Sequence, residues 1–457
     1  MSNHLSRVGS RGMNLVADPM DVIGIGVGPA NLSLAALLQP CEGIRSQFFE
    51  RSAEFHWHPG LMFPSAGLQV HHIKDLVTLA DPTSRYSFLA FLSRHKRLYS
   101  FVNANFSQVL RREFNEYMRW VCSELPNLAF DCAVDGVTSD RDGFAVHTAQ
   151  GLWRTRDLVV GTGVRPQVPD CVAPHLGATV WHASQYLFQD RQLAGKRVAI
   201  VGGGQTGAEV FLHVVSEAAA PASVVWLSRR DNFAPLDESP FTNELFTPRY
   251  SDYFFGLPRA VRQRVLESQK LASDGVSSCT LEAIYRRLYE LKFLSDTGCR
   301  PDLRPGRELE AMDRAGSGWR LLARHDHSGA LEAVDADIVI LATGYEQRLP
   351  ACLEACQHLI HRDHGELVVH ADFSLAWDGP PGSRIYIQNG ARRQRGIADP
   401  NLSLLAWRSA KIANSIVGWV RYDVELPDAM VSWDAGGGLD LADGHYGALL
   451  DSLEDRL

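Results

Sequence analysis

Two stretches of this chain repeat one local design, and that repetition restricts the fold more than any other feature. Residues 21 to 34 read DVIGIGVGPANLSL, and residues 198 to 210 read VAIVGGGQTGAEV. Each is an apolar strand, a glycine turn and the start of a helix. Such a turn lets the backbone approach a pyrophosphate, whose charge meets the free N–H groups of the helix N-terminus. Two of them predict an α/β protein with two Rossmann-like dinucleotide-binding domains.

The first turn places Gly26, Gly28 and Asn31 in a GxGxx(G/N) register after an apolar strand. Gly26 permits the tight bend, Gly28 clears space for the pyrophosphate, and Pro29 suits a first helical position. Glu50 ends the second strand, QFFERS, where an acid meets the ribose hydroxyls of an adenosine. The second turn is a complete GxGxxG, with Gly202, Gly204 and Gly207, and Gln205 opens its helix. Its following strand, SVVWL, ends in Ser228-Arg229-Arg230. Two cations there suit a 2′-phosphate and so NADPH, the alternative being a solvated arginine pair. FAD and NADPH are the cofactors these two ends match, because a flavin accepts the hydride a nicotinamide gives.

DLVVGTGVRPQVP and ADIVILATGYEQRLP are apolar strands ending in small-residue turns, as expected where a chain crosses between two nucleotide-binding units. The expected division is a flexible arm over 1–19, an FAD-binding domain over 20–190 and an NADPH-binding domain with a substrate-binding insertion over 191–340. The FAD-binding domain resumes over 341–425, and a tail follows over 426–457. In that tail Leu449, Leu450, Leu453 and Leu457 share one face of a possible docking helix.

A formal net charge of −8 argues against nucleic acid as a partner. The longest apolar stretch is broken by glycines, Pro29 and Asn31, so no membrane span is expected. MSNHLSRVGSRGMNLVADPM lacks the apolar core of a secretory leader. Eight scattered cysteines without a CxxC pair suit reduced thiols in a cytoplasm, and no metal site is expected, even from Cys352 and Cys356.

The same cysteine pattern argues against a disulfide reductase. VWHASQY, with His182 and Tyr186, only partly matches the linker of Baeyer–Villiger and dimethylaniline-type monooxygenases. The stretches FHWHPGLMFPSAGLQVHHIKDLVTLADPTSRYSFLAFL, RRDNFAPLDESPFTNELFTPRY, KLASDGVSS, LATGY and GIADPNLSLLAWRSAKI resemble the N-hydroxylating flavin monooxygenases. These are the lysine, ornithine and diamine N-hydroxylases of hydroxamate siderophore biosynthesis. The likeness runs from about residue 20 to about residue 420 and is nearer the lysine and diamine members.

That resemblance implies a reaction in which NADPH reduces FAD, O2 adds to give a C4a-hydroperoxyflavin, and a neutral primary amine takes the distal oxygen. It also implies roles. Gln69 is expected to contact flavin and nicotinamide, Lys74 to hold a substrate carboxylate, and Asn243 to meet substrate and NADP+. Ser403 is expected near flavin and substrate. Trp57 and Pro59 are expected to wall the isoalloxazine, with His58 beside them on the cofactor. Thr343, Gly344 and Tyr345 of the LATGY stretch are expected at the cofactor junction. Asp274 reads either as an acid for a substrate ammonium or as the turn residue before Gly275. His56, His71 and His72 are expected to serve packing and hydrogen bonding. Arg392, Arg393 and Arg395 read as a solvated loop without a role. The family tendency is a homo-tetramer. The expected substrate is L-lysine, hydroxylated on its terminal amine, with cadaverine or putrescine as the alternative. More distant readings are another NADPH-dependent flavin oxygenase or oxidase, and a non-enzymatic NADP-binding regulator.

Overall fold

The computed structural model describes residues 18–190, 192–295, 298–425 and 430–434. The expected arm before residue 18 and the leucine face near the C-terminus lie outside them.

MDVIGI forms the strand Met20–Ile25, and its register runs parallel to Ser46–Phe49 on one side and to Gly151–Val160 on the other. A central parallel strand is covered on both faces, which is why its apolar residues run on rather than alternate. The sheet reads Leu128–Ala129, Ser46–Phe49, Met20–Ile25, Gly151–Val160, Gly143–Thr148 and Val134–Asp140. Ile385–Ile387 returns late in the chain and pairs, parallel, with residues 158–160. The helix Pro29–Leu38 is buried from Ala30 to Leu38, its polar Asn31 and Ser33 included, and packs beneath a late helix, Leu405–Val417. Arg111–Glu124 buries Phe114, Tyr117, Met118 and Val121, a single stripe at helical spacing.

The second sheet repeats the plan: Arg300–Pro305, Ser223–Ser228, Arg197–Val201, Ile338–Leu341 and Val180–His182, all parallel. One face carries the helices Gln205–Ser216 and Ser278–Phe293; the other carries a three-stranded meander over residues 307–336. Its edge strand, Val180–His182, lies ahead of the 190/191 boundary expected from the sequence, because its hydrogen bonds go to Ile338–Leu341. The two crossings between the halves pair with each other, Arg165–Pro166 running antiparallel to Tyr345–Glu346.

Between Ser228 and Arg300 the second half inserts Pro240–Asn243, Pro248–Gly256, Arg259–Ser268, Lys270–Asp274 and Ser278–Phe293. The insertion docks back onto the first half at Asp252, which accepts from Arg395 at 2.8 Å and from Lys411 at 2.9 Å. Arg395 is 1% exposed and lies over the rings of Phe255 and Phe373. This corrects the expectation of a solvated arginine loop at Arg395, whereas Arg393 is exposed and Arg392 half-exposed. Arg393 pairs with Glu366 and Arg392 with Asp274. An apolar wall and an acidic partner on a distant element took up a cation that local sequence leaves exposed.

Candidate active site

Gly26 bends the first turn at φ +87°, where a Cβ would meet the Gly161 carbonyl oxygen at 2.8 Å. At Gly28 a Cβ would find only that oxygen, at 3.7 Å, so space opens where a phosphate has to approach. Pro29 starts the helix, and no side chain caps it, which leaves its first N–H groups for a ligand. Glu50 lies across the turn, accepting from Val27 N and Ser52 N at 2.9 Å each. Each carboxylate oxygen keeps a lone pair for a ribose hydroxyl. Asn31 is fully buried and its Nδ2 donates to the Gly26 carbonyl at 2.8 Å and to that of Ile25 at 3.2 Å. It therefore fastens the turn to the strand behind it rather than facing outward. These features fit an FAD.

The second turn has the same construction. Gly202 stands at φ +127° with a Cβ position 2.0 Å from the Ala342 carbonyl oxygen, and at Gly207 a Cβ would fall on the Gly202 carbonyl. Trp226 Nε1 donates to that same carbonyl at 2.8 Å. Gly204 is the uncapped N-cap of the helix, with open space before it. Arg230 reaches back to the Gly203 carbonyl at 3.3 Å and is half-buried, whereas Arg229 is 70% exposed and faces Glu308 at 3.7 Å. The two arginines expected to act alike are thus placed differently.

The chain between the turns brings other expected residues to their junction. Gln69 Nε2 donates to Ser277 Oγ at 3.0 Å and approaches Gln205 Oε1 at 3.4 Å. Trp57 is partly buried, its N–H bound to Asn115 Oδ1 at 2.9 Å. His58 is exposed, with protein packed around the rest of it. That enclosure, with the charge of Arg111 nearby, holds its imidazole down to about 4 and so neutral. His71 and His72 stack at 4.3 Å, and His72 packs on Phe88 and Phe101. His182 anchors the crossing, its Nε2 3.0 Å from the Gly344 carbonyl. Thr343 donates to the Gln167 carbonyl. Among the described residues the buried Tyr345 hydroxyl has no hydrogen-bond partner. A polar atom left in that state at a cofactor junction is explained by a ligand that completes it.

Lys74 Nζ is 3.3 Å from Ser403 Oγ, and Ser403 is in turn held by Asn401 at 2.8 Å. Burial lowers the Lys74 pKa, and no carboxylate among the described residues pairs with it. Asp274 ends the helix Lys270–Asp274, takes a hydrogen bond from Ser273 at 2.9 Å and faces Arg392 at 3.5 Å. Its backbone oxygen lies 3.9 Å from the Cβ position of Gly204, which puts it beside the second turn. Asn243 is exposed at the end of Pro240–Asn243, and no side-chain hydrogen bond ties it to Lys74 or Asp274 among the described residues.

Motif reading missed Arg111 and Glu209, a bidentate pair at 2.6 and 3.0 Å joining the two halves. The one available signal was the position of Glu209, a single turn after Gln205 on the glycine-turn helix.

Comparison with known proteins agrees with this geometry. Residues 18–347 match the family described as L-lysine 6-monooxygenase/L-ornithine 5-monooxygenase. The L-lysine N6-monooxygenase of Escherichia coli is 39% identical over 91% of this chain and 99% of its own. An FAD-bound cadaverine monooxygenase of desferrioxamine biosynthesis from Erwinia amylovora superposes with a TM-score of 0.86 at 31% identity, over 92% of this chain and 99% of its own. The Kutzneria sp. 744 ornithine N-hydroxylase, solved with reduced FAD, NADP+ and L-ornithine, gives 0.80 at 29% identity, over 87% and 99%. The chain belongs to the L-lysine 6-monooxygenase/L-ornithine 5-monooxygenase family and is an FAD- and NADPH-dependent N-hydroxylase of siderophore biosynthesis.

Proposed function

We propose that the amine hydroxylated is the terminal amine of L-lysine. The observation that carries this reading is Lys74, a partly buried ammonium beside Ser403 with no carboxylate among the described residues to balance it. A desolvated cation without a partner is costly unless a ligand supplies the opposite charge. An amino acid brings a carboxylate; a diamine brings only further positive charge. Asp274, the acid that would receive a second ammonium, already faces Arg392 and Ser273. That occupancy weighs against the diamine.

FAD, when bound, supplies the electrons that activate O2. The residues of the chain do the rest. Gly28 and Gly204 admit the two pyrophosphates, and Arg230 stands at the second turn for a 2′-phosphate. Gln69, held by Ser277, presents its carboxamide where flavin and nicotinamide meet. Lys74 and Ser403 fix the amino-acid end of the substrate, so its far amine points to the reacting oxygen. That amine has a reference pKa of ~10.4 and reacts only when neutral, which a desolvated pocket favours.

The diamine reading has in its favour the likeness to the cadaverine enzyme of Erwinia amylovora and to putrescine N-hydroxylases. Turnover with lysine, ornithine, cadaverine and putrescine, followed as hydroxylamine formed per NADPH consumed, separates the two. Lysine is expected to give the highest kcat/KM. Faster coupled turnover of either diamine would overturn the carboxylate argument.

A further inference from the structure

The flavin half and the nucleotide half meet at an ion pair that no cofactor motif contains. Arg111 opens the helix Arg111–Glu124 in the flavin half, and its guanidinium donates to both carboxylate oxygens of Glu209, at 2.6 and 3.0 Å. Its Nε donates to the Gly67 carbonyl at 3.0 Å. The side chains are 15% and 10% exposed, so this pair is largely out of water. Both ends lead to the junction. On the flavin side, Arg111 N bonds the Ala66 carbonyl at 2.9 Å and Leu68 N bonds the Val109 carbonyl at 2.7 Å, which makes the strap ending at Gln69 one piece with the helix. On the nucleotide side, Gln205 Nε2 donates to Glu209 Oε1 at 2.8 Å, and Gln205 Oε1 accepts from Ser277 N at 2.8 Å. Gln205 is the first residue of the helix that receives the NADPH pyrophosphate.

We propose that Arg111 and Glu209 are a positioning pair that sets the angle between the two halves, and with it the nicotinamide–flavin distance for hydride transfer. Adhesion alone does not call for this pair. Apolar residues of similar volume hold two surfaces together as well or better, because a buried ion pair gives back much of its attraction as desolvation. What a forked arginine on a carboxylate adds is direction. The halves are also joined by the paired crossings, by the docking of the insertion at Asp252, and by Leu61, Phe63 and Ala66, which pack into the apolar core of the nucleotide half. The ion pair fastens them close to Gln69, which itself bridges to Ser277 of the nucleotide half. In the step it serves, a hydride leaves NADPH with its electron pair, giving NADP+ and reduced FAD. Such a transfer is steep in distance, and a displacement of about 1 Å costs on the order of a hundredfold in rate.

The inference rests on the FAD and NADPH chemistry and not on which amine is hydroxylated, so its test leaves the amine out. Glu209→Gln keeps the size and removes the charge; Arg111→Lys keeps the charge and removes the fork. In FAD-loaded variants mixed anaerobically with NADPH, the limiting rate of flavin reduction is expected to fall at least about tenfold. The NADPH dissociation constant should change little, and 4-deuterated NADPH should still give a primary isotope effect. In the ligand-free proteins, amide exchange should rise over residues 66–69 and 205–211 and remain as in the parent elsewhere. A limiting rate within about twofold of the parent in either folded variant overturns the proposal. So does a loss confined to NADPH affinity. Failure of both variants to fold would make the pair a requirement of folding and equally overturn it.

Discussion

Lys74 illustrates what one residue contributes and what it costs. Its folded-state pKa is depressed by burial, so the unfolded chain binds the proton more tightly. Between the lowered folded value and the unfolded value of about 10.4, stability therefore rises with pH; below that window the full penalty of burying the charge is present. Lys74→Met is expected to raise the melting temperature at pH 7 while weakening L-lysine by roughly 2–5 kcal/mol, read as KM, with flavin reduction by NADPH nearly intact. The arginines after the second turn separate in the same way. Arg230→Ala should cost NADPH binding roughly 1.5–3 kcal/mol and spare NADH. Arg229→Ala should stay within about 0.5 kcal/mol for both coenzymes, since its guanidinium faces Glu308 in solvent. Equal losses in the two variants would refute this division. At this scale the sequence was legible where chemistry is local. Glycines in a turn, a proline at a first helical position and an acid at a strand end carry their reason within a few residues. Arg111 and Glu209 were not legible, because nothing in RREF or in GQTGAE says that residues 98 positions apart close into one ion pair.

Elements meet through partners that no periodic pattern announces. The helix Leu405–Val417 is fastened to the flavin half by Arg408, which is 1% exposed. Arg408 donates to Asp399 at 3.2 Å and to Gln388 Oε1 at 2.8 Å, and Gln388 Nε2 bonds the Ala30 carbonyl at 3.0 Å. Asp399 also takes the Ala391 N–H at 2.8 Å. Removing the acid alone leaves a buried guanidinium uncompensated. Asp399→Ala is thus expected to lose about 3–5 kcal/mol in denaturant unfolding, and adding Arg408→Met to recover part of that loss. Full additivity of the two losses would show that they do not act as a pair. Patterning alone gave the strands at 20–25 and 197–201 and the helices that follow them. It placed a boundary at 190 because Val180–His182 is too short to read as a strand without the neighbour at 338–341 that completes it.

The two glycine turns follow strands of separate sheets, and with FAD proposed at the first and NADPH at the second, stability should reflect that separation. Stripping FAD is expected to lower the melting temperature, and restoring it at a hundred times its Kd to return about 2.7 kcal/mol. NADP+ alone should not replace FAD, since its turn at Gly202–Gly207 belongs to the other sheet. Gly28→Val, which fills the space left for the pyrophosphate, should abolish both FAD content and the FAD-dependent gain. Calorimetry of the stripped and reloaded proteins checks all three statements. The arrangement of the crossings has a consequence for modularity. Pro166 sits opposite Tyr345, so the segment that forms the nucleotide half leaves and re-enters the flavin half at one place. The flavin sheet does not need that segment for its own continuity, because Gly151–Val160 and Ile385–Ile387 are already neighbours. The nucleotide half is therefore a cassette in its chain connections, with both seams falling beside the short ribbon of Arg165–Pro166 and Tyr345–Glu346.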